Sequence, residues 1–302
     1  MTNGLIFDIK RYAINDGPGI RLTVFFKGCP LACTWCHNPE SISPKVQKMY
    51  SIKRCIGARA CIDACPNNAL SLTPQGIVTD TDACRLCGKC AKACPTHAIE
   101  MSGEAIDIDA IMQAIENESL FFDQSEGGVT FSGGEPLLHH GALKILLQRC
   151  AALYIHRVVD TALYAQPDVV KEIARHTDLF LVDLKLMDSA KHQTYTGVPN
   201  ELILQNIEIL AVMDADFVIR VPLIQGINAD YENIEASAAF LASLPWQRKQ
   251  VNLLPYHDIA QSKHKRLGTD HDSEGMSEPS QDKLDEVVAI FKHHGLLATV
   301  GG

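Results

Sequence analysis

The sequence predicts an α/β protein, in which a parallel sheet covered by helices is interrupted by a separate cysteine-rich segment. Short apolar stretches begin near residues 22, 129, 157, 179, 217 and 251, and amphipathic helical patterns separate them from about residue 105 onward. Strands that are apolar throughout and alternate with helices are typical of a parallel sheet with helices outside. Ten of the eleven cysteines lie between Cys29 and Cys94. Periodicity alone leaves an open barrel and a flat doubly wound sheet as alternatives.

Composition and net charge argue against some classes of partner. The 302-residue chain is 46% hydrophobic and carries a formal net charge of −9, which argues against a partner as anionic as nucleic acid. No basic-then-apolar leader and no apolar run of about 18 residues is visible, so we expect no membrane partner. Cysteines grouped as C-x2-C and C-x3-C in a long chain indicate metal ligation rather than disulfides, and we expect a cytoplasmic protein.

The first predicted elements lead into a loop that contains three cysteines. Residues 5–12 alternate well enough for an edge strand, and Asp16-Gly17-Pro18-Gly19-Ile20-Arg21 predicts a tight turn in which Asp16 bonds nearby backbone. A short apolar strand over 22–26 follows, and the cysteine loop begins at its carboxyl end. Catalytic loops occupy that end of the strands in parallel α/β folds.

The loop has the spacing C-x3-C-x2-C, with Cys29, Cys33 and Cys36 as its thiols. Three thiolates can hold one face of a 4Fe–4S cluster, whose full ligation would take four cysteines. The remaining iron would be open to a reacting ligand, as is the open position of a catalytic zinc site. A zinc knuckle is the alternative for this spacing taken alone.

The cysteine-rich segment contains two half-repeats that each end in Cys-Pro. The second is complete as a ferredoxin run, whereas the first has Ala58 where its second cysteine would stand. In two-cluster ferredoxins the fourth cysteine of each run ligates the other cluster. One predicted cluster therefore has four ligands, Cys65, Cys84, Cys87 and Cys90. The other has three, Cys55, Cys61 and Cys94.

The cluster that faces Ala58 has three possible states. It is a 3Fe–4S cluster, or a 4Fe–4S cluster with Asp63 or water as its fourth ligand, or it has been lost. Short strands are expected after the two runs, over 69–72 and 97–101.

Helices and strands alternate in the remainder of the chain. Helical patterns cover 107–117, 141–152, 167–175, 200–212, 231–243 and 280–295, with a closing strand expected over 296–300. Each apolar strand ends in polar residues, as a site at the carboxyl face of a barrel requires. These residues are Gly133, Gly134 and Glu135, then Asp160 and Thr161, then Asp183 and Lys185, and finally Arg220 and His257.

The cysteine loop resembles the signature of the radical S-adenosylmethionine (SAM) enzymes. The turn at Asp16, the loop, and His37-Asn38-Pro39-Glu40 together resemble the opening of the glycyl radical enzyme activases, the group that includes pyruvate formate-lyase activating enzyme. The resemblance extends from Asp16 to His257. It implies an incomplete (β/α)6 radical SAM barrel over residues 1–50 and 105–302, with a ferredoxin-like α+β insert over 51–104.

The resemblance also implies the cofactors and the roles of the site residues. The open iron of the 4Fe–4S cluster would chelate SAM, and an electron from the cluster would split SAM to give a 5′-deoxyadenosyl radical. That radical would abstract a hydrogen atom from a glycine of a partner glycyl radical enzyme, whose loop Asp16 would meet. Members of the group can hold a monovalent cation near Asp160, Thr161 and Asp183. The SAM-binding residues would be Trp35, His37, Gly133, Gly134, Glu135, Asp160, Thr161, Asp183, Lys185, Arg220 and His257.

Two other functions stay open from the sequence, a radical SAM enzyme that acts on a small molecule and an electron-transfer protein built on the ferredoxin-like segment. For the activase we expect one or two auxiliary iron–sulfur clusters and a monomer. A low-potential donor such as flavodoxin or ferredoxin would supply the electron.

Overall fold

The computed structural model describes residues 4–270 and 273–301 of the protein. Within these residues, most of the helices pack against one nine-stranded sheet. The strands are β1 (Leu5–Ala13), β2 (Arg21–Lys27), β3 (Gln47–Tyr50), β4 (Leu70–Thr73), β5 (Gly76–Thr79), β6 (Ile99–Ser102), β7 (Glu104–Ala105), β8 (Gly128–Gly133), β9 (His156–Thr161), β10 (Leu179–Asp183), β11 (Phe217–Leu223), β12 (Gln250–Pro255) and β13 (Leu297–Val300). The helices are α1 (Ala60–Asp63), α2 (Lys89–Ala93), α3 (Ile108–Glu116), α4 (Ser119–Ser125), α5 (His140–Ala152), α6 (Pro167–Ala174), α7 (Ser189–Thr196), α8 (Glu201–Val212), α9 (Tyr231–Ser243), α10 (Gln261–Leu267) and α11 (Gln281–His293).

The large sheet has the order β13-β12-β11-β10-β9-β8-β2-β1-β7. All neighbours from β2 to β13 pair in parallel, which confirms the six predicted strands. The strand expected over 296–300 occurs as β13, which pairs in parallel with β12 and forms one edge of the sheet. The other edge is the two-residue strand β7 rather than β1, because β7 pairs with the start of β1.

The two faces of this sheet have different surroundings. Its convex face packs against the helices, with side chains such as Val24, Phe131 and Ile219 fully buried. On the other face, side chains from β9 to β12 line one concave space that also contacts the turn at Gly17. A sheet whose inner side chains surround a common space is curled, so the geometry favours the open barrel over the flat sheet.

Outside the cysteine-rich segment, three helices lie where the sequence indicated none, namely α4, α7 and α10. The first is held mainly by one buried side chain, Phe122, and the third has no buried side chain. Short helices of this kind lack the repeated apolar face that a periodicity search detects.

The cysteine-rich segment forms two small sheets, β3 with β6 and the hairpin β4–β5. Its two halves have the same local structure. The amide of Ala69 donates to Cys65 Sγ at 3.3 Å, and the amide of Ala98 donates to Cys94 Sγ at 3.2 Å. The predicted strands over 69–72 and 97–101 occur as β4 and β6. The boundaries of the segment stay a prediction, and β3, which pairs with β6, lies just before residue 51.

Candidate functional site

A cleft of about 240 Å³ opens at the carboxyl ends of the parallel strands. It lies between the cysteine loop and the ends of β8 to β12. Nine of the residues that the sequence indicated line this cleft: Cys33, Trp35, Cys36, His37, Gly133, Asp160, Asp183, Lys185 and Arg220. These nine residues, from Cys33 to Arg220, are up to 187 positions apart along the chain (220 minus 33).

The cysteine loop is held on both sides by backbone hydrogen bonds. On one side the amide of Cys29 donates to the carbonyl of Ile42 at 3.0 Å. On the other side, Ala32 and Thr34 donate to carbonyls at the end of α7, at 2.7 and 3.0 Å. These bonds fix the loop independently of its thiols, which leaves all three sulfurs free to bind a metal cluster.

The three thiols of the loop are free cysteines in a low-dielectric environment. Burial raises the pKa of Cys33 to about 12, although the charge of Lys185 opposes the rise. Burial also raises the pKa of Cys36 and of Cys29, and the charges of the other two thiols add to the effect on Cys29. Buried thiolates need a cationic partner, and a cluster of iron ions satisfies this need.

Two ion pairs face the cleft. Lys185 is 8% exposed, and its ammonium lies 2.7 Å from Asp183 Oδ2. Burial alone would lower the pKa of Lys185, but the charges of Asp183 and Cys33 raise it, so the side chain stays protonated. Arg220 Nη1 lies 3.3 Å from Asp160 Oδ2, and Ser132 donates to the same carboxylate at 2.7 Å.

Some N–H donors of the Arg220 guanidinium form no hydrogen bond within the part of the protein that the structure describes. Its Nε and Nη1 atoms are buried and donate no hydrogen bond within the described residues, although Nη1 keeps its ion-pair contact with Asp160. Buried donors without partners cost free energy, so they indicate a position for an acceptor that a ligand would supply. The carboxylate of SAM has the required chemistry, and the charged pairs on this wall of the cleft fit an amino acid ligand.

In the Gly-Gly-Glu segment at the end of β8, the glycines and the glutamate have different surroundings. Gly133 lines the cleft, and a side chain on Gly134 would come within 2.2 Å of the Gly28 carbonyl, so the tight approach to the cysteine loop requires glycine. Glu135 is fully buried and is not among the residues that line the cleft. Its carboxylate accepts hydrogen bonds from Thr161 Oγ1 at 2.6 Å and from the amide of Ala162 at 3.0 Å.

Glu135 and Thr161 thus lie behind the cleft rather than on its surface. Burial raises the pKa of Glu135 to about 7, against the opposing effect of its three hydrogen-bond donors. The segment still resembles the one that holds the SAM amino group, but the structure places the glycine backbone, and not the carboxylate, at the cleft.

His37 and His257 are neighbours with different exposure. The His37 ring hydrogen bonds with the backbone of His257, and burial lowers the pKa of His37. The His257 side chain is 55% exposed and lies 3.5 Å from a carboxylate oxygen of Glu278. His257 therefore borders the rim through its backbone, whereas its ring is directed to a surface ion pair.

One end of the cleft is apolar. Trp35 is 6% exposed and packs with Leu186, Ile224 and Tyr256. These three partners were missed from the sequence because buried apolar residues give no chemical signal there. Only their position immediately after a strand could have suggested them. A flat apolar wall of this kind fits the adenine ring of SAM.

The turn at Asp16 is built around a buried arginine. Arg21 is fully buried, and its guanidinium donates to the carbonyls of Pro18 at 2.8 Å and Val129 at 2.6 Å. Thr23 donates to the Asp16 carboxylate at 2.7 Å, and Thr130 donates to the Asp16 carbonyl at 2.6 Å. Asp16 is thus directed along the inner face of the sheet.

The seven cysteines of the cysteine-rich segment lie in two places that match the two predicted groups. Cys65, Cys84, Cys87 and Cys90 line one small cavity of the cysteine-rich segment. Cys61 is close enough to Cys55 and Cys94 for their charges to raise its pKa, although burial is the larger cause. Among residues 4–270 and 273–301, no three His, Cys, Asp or Glu side chains converge on a single metal ion. Larger groups such as clusters are the better fit for sulfurs spaced in this way.

Comparison with known proteins assigns the chain to a family. A model of a 4Fe-4S dicluster domain matches residues 54–98, and one of a 4Fe-4S single cluster domain matches residues 15–72. The chain is 38% identical to the trans-4-hydroxy-L-proline dehydratase activating enzyme of Clostridioides difficile, over 99% of this chain and 100% of that protein. It belongs to the glycyl radical enzyme activating enzymes.

Other relatives of this activating enzyme agree. It is 36% identical to the choline trimethylamine-lyase activating enzyme of Oleidesulfovibrio alaskensis, over 98% of this chain and 97% of that one. A solved domain of pyruvate-formate lyase-activating enzyme from Bacteroides vulgatus superposes with a TM-score of 0.51 and 48% identity, over 58% of this chain and 99% of that domain.

The activating enzyme therefore has a radical SAM fold, and its cofactors are SAM and 4Fe–4S clusters. Its activity is the reductive cleavage of SAM, which supplies the radical that removes a hydrogen atom from a glycine of a partner enzyme. Of the three functions that the sequence left open, the activase is confirmed. None of the helices in the described residues has the length and apolar content needed to cross a membrane.

Proposed function

We propose that Cys29, Cys33 and Cys36 hold the SAM-binding 4Fe–4S cluster and that the cleft beside them holds SAM. The observation that carries this assignment is the convergence of nine sequence-indicated residues on one cleft. The apolar end at Trp35 and Tyr256 receives adenine, and the backbone at Gly133 receives the amino group.

The charged wall positions the other end of SAM. Lys185 is buried and protonated, so its ammonium balances the SAM carboxylate as a point charge. Arg220 offers its buried Nε, which donates no hydrogen bond within the described residues, toward the same region. Asp160 and Asp183 supply carboxylate oxygens, which suit a monovalent cation at this position, and Thr161 holds Glu135 behind them. The role of these residues is to bind and orient SAM and to exclude water.

The partner glycine reaches the cleft through a groove that Asp16 lines. This groove has a volume of about 540 Å³ and runs between β1, the cysteine loop and the cysteine-rich segment. Besides Asp16 it contacts Asn38 and Glu40 of the cysteine loop, and Met101 of the segment. A groove open to solvent suits a peptide loop, whereas a small-molecule enzyme requires a closed pocket.

The cysteine-rich segment is proposed to be a ferredoxin-like insert that relays electrons. The group of four cysteines holds a complete cluster, and the group of three holds an incomplete one, or none. Ala58 and Asp63 are exposed, so the open corner of the second site faces solvent. We infer a cytoplasmic monomer that takes electrons from a flavodoxin or ferredoxin.

The test is anaerobic reconstitution followed by reduction in the presence of SAM. The product measured is 5′-deoxyadenosine, and the matched control is Cys33→Ala. We expect product from the wild type and none from the control, while iron in the cysteine-rich segment is retained. Equal production in both would overturn the assignment of the loop. Absence of product in both, with the loop cluster shown to be intact by its spectrum, would overturn the assignment of SAM to the cleft.

A further inference from the structure

One surface of the cysteine-rich segment exposes a cluster ligand. Cys87 is exposed, whereas the other ten cysteines are buried or half-buried. Its neighbours Arg85 and Lys89 are exposed as well, and Leu86 is 43% exposed. The four-cysteine site therefore reaches the protein surface at the loop 85–89, and its edge is accessible to another molecule.

The charge of this surface differs from that of the whole protein. Residues 51–104 contain six Lys or Arg and five Asp or Glu side chains, a net charge of +1, whereas the full chain carries −9. No acidic residue lies between Ala83 and Ile99, although three basic ones do. These three are Arg85, Lys89 and Lys92, and all of them are exposed. The exposed ligand thus lies within a basic patch on an acidic protein.

The basic side chains next to Cys87 are not engaged in holding the fold. Within the described part of the chain, neither Arg85 nor Lys89 forms an ion pair, and a salt bridge elsewhere in the segment uses Arg54 with Glu100. Charges that are free at a surface steer partners of opposite charge and raise association rates by roughly 10- to 1,000-fold. An acidic partner would therefore be drawn to this patch and away from the remaining, acidic surface.

We propose that the patch formed by Arg85, Leu86, Cys87, Lys89 and Lys92 is the docking surface for a small acidic electron-carrier protein. Electron transfer needs close approach of the two redox centres, and Cys87 provides it. The carrier loses one electron and the cluster held by Cys65, Cys84, Cys87 and Cys90 gains it. No bond forms or breaks in this step. The inference rests on the proposed role of the segment as an electron relay.

The experiment compares the holoenzyme with Arg85→Glu/Lys89→Glu. Reduced flavodoxin is the probe, and stopped-flow bleaching of the cluster absorbance gives the second-order rate constant at low and high salt. We expect the double variant to react at least about tenfold more slowly at low salt. The wild-type rate should fall with salt and the variant rate should not. The control Lys171→Glu/Arg175→Glu makes the same charge change at two exposed positions, one on α6 and one just after it, and should leave the rate unchanged.

A neutral small reductant, photoreduced deazariboflavin, separates docking from cluster properties. If the variant is slow only with flavodoxin, the docking surface is supported. If it is slow with both reductants, or with neither, the proposal is wrong, because the charges then act on the cluster itself or not at all. Formation of 5′-deoxyadenosine with deazariboflavin tests the SAM site separately. Its failure in the wild type would count against the proposed SAM site and leave the docking result interpretable.

Discussion

The hydroxyl of Thr161 donates a hydrogen bond of 2.6 Å to the buried carboxylate of Glu135. This bond joins the residues that follow β8 to the end of β9. The amides of Leu137 and Ala162 donate to the same carboxylate at 3.1 and 3.0 Å. Glu135 therefore acts as a brace for the glycine backbone that borders the cleft, although the sequence presented it as a ligand-binding carboxylate.

Replacement of Glu135 by glutamine should destabilise the protein. The glutamine amide cannot accept all three hydrogen bonds, so one buried donor loses its partner at a cost of about 1–3 kcal/mol. Urea unfolding under nitrogen measures this. The variant Gln148→Glu, on the exposed side of α5, is the control for a change of one charge at a surface. Equal midpoints for wild type and Glu135→Gln would contradict the brace.

The same carboxyl makes stability depend on pH. Burial raises the pKa of Glu135 from 4.5 to about 7, so the folded state retains a proton that the unfolded state has lost. Stability should therefore fall as pH rises from 4.5 to 7, by roughly 3 kcal/mol in total. Glu135→Gln should remove this contribution. If the free energy of unfolding changes by the same amount between pH 5.5 and pH 7.5 in the wild type and in Glu135→Gln, the assignment to Glu135 is contradicted.

Lys185→Met should weaken SAM binding by more than about tenfold, since it removes a charge–charge contact worth at least 1.4 kcal/mol. It should also destabilise the fold by about 3 kcal/mol, because Asp183 is left without its partner. The double variant Asp183→Asn/Lys185→Met should recover stability. Calorimetric titration with SAM then decides the role of the lysine. Normal binding by the double variant would show that Lys185 is only structural.

Arg21→Lys should cost about 3 kcal/mol or more, although it keeps the charge. The guanidinium donates to the carbonyls of Pro18, Val129 and His156 and to Thr130 Oγ1, the last at 2.6 Å, and an ammonium cannot reproduce this planar arrangement. Arg149→Lys, at an exposed pair with Asp109, should cost less than about 0.5 kcal/mol. Urea midpoints compare the two, and similar losses would contradict the buried role of Arg21.

Asp16→Asn should separate partner activation from SAM cleavage. Its side chain still accepts a hydrogen bond from Thr23 but loses the charge that faces the groove. We expect nearly normal 5′-deoxyadenosine and about tenfold less glycyl radical in the partner, measured by electron paramagnetic resonance, as for a lost contact of about 1.4 kcal/mol. The control Thr23→Val removes only the internal bond. If both variants lower the yield of glycyl radical equally, Asp16 only stabilises the turn and does not contact the partner.

Ala58→Cys should complete the second cluster site. The added thiol stands at the missing position of the first half-repeat, where the loop is exposed and tolerates a larger side chain. We expect more iron per reconstituted chain and a changed resonance spectrum. Cys61→Ala, which removes the site, is the control. If Cys61→Ala matches the wild type in iron content, the wild-type chain holds no cluster there.

Much of the site could be predicted from local sequence. The spacing of Cys29, Cys33 and Cys36 determines a loop that can surround one cluster face, because such short spacings constrain the backbone directly. The apolar strands and the polar residues at their ends indicated the parallel sheet and the edge where the site lies. The Cys-Pro repeats likewise indicated two similar halves, and in the structure Cys65 and Cys94 accept matching N–H···S bonds.

Only the tertiary structure decided how each polar residue is used. Glu135 and Lys185 both follow apolar strands, yet one is turned inward as a brace and the other faces the cleft. Side-chain direction and burial depend on strand register and on neighbours distant in the chain, and local patterns contain neither. The sequence by itself determined the cysteine loop and the fold class, whereas packing between distant segments decided which groups face the cleft.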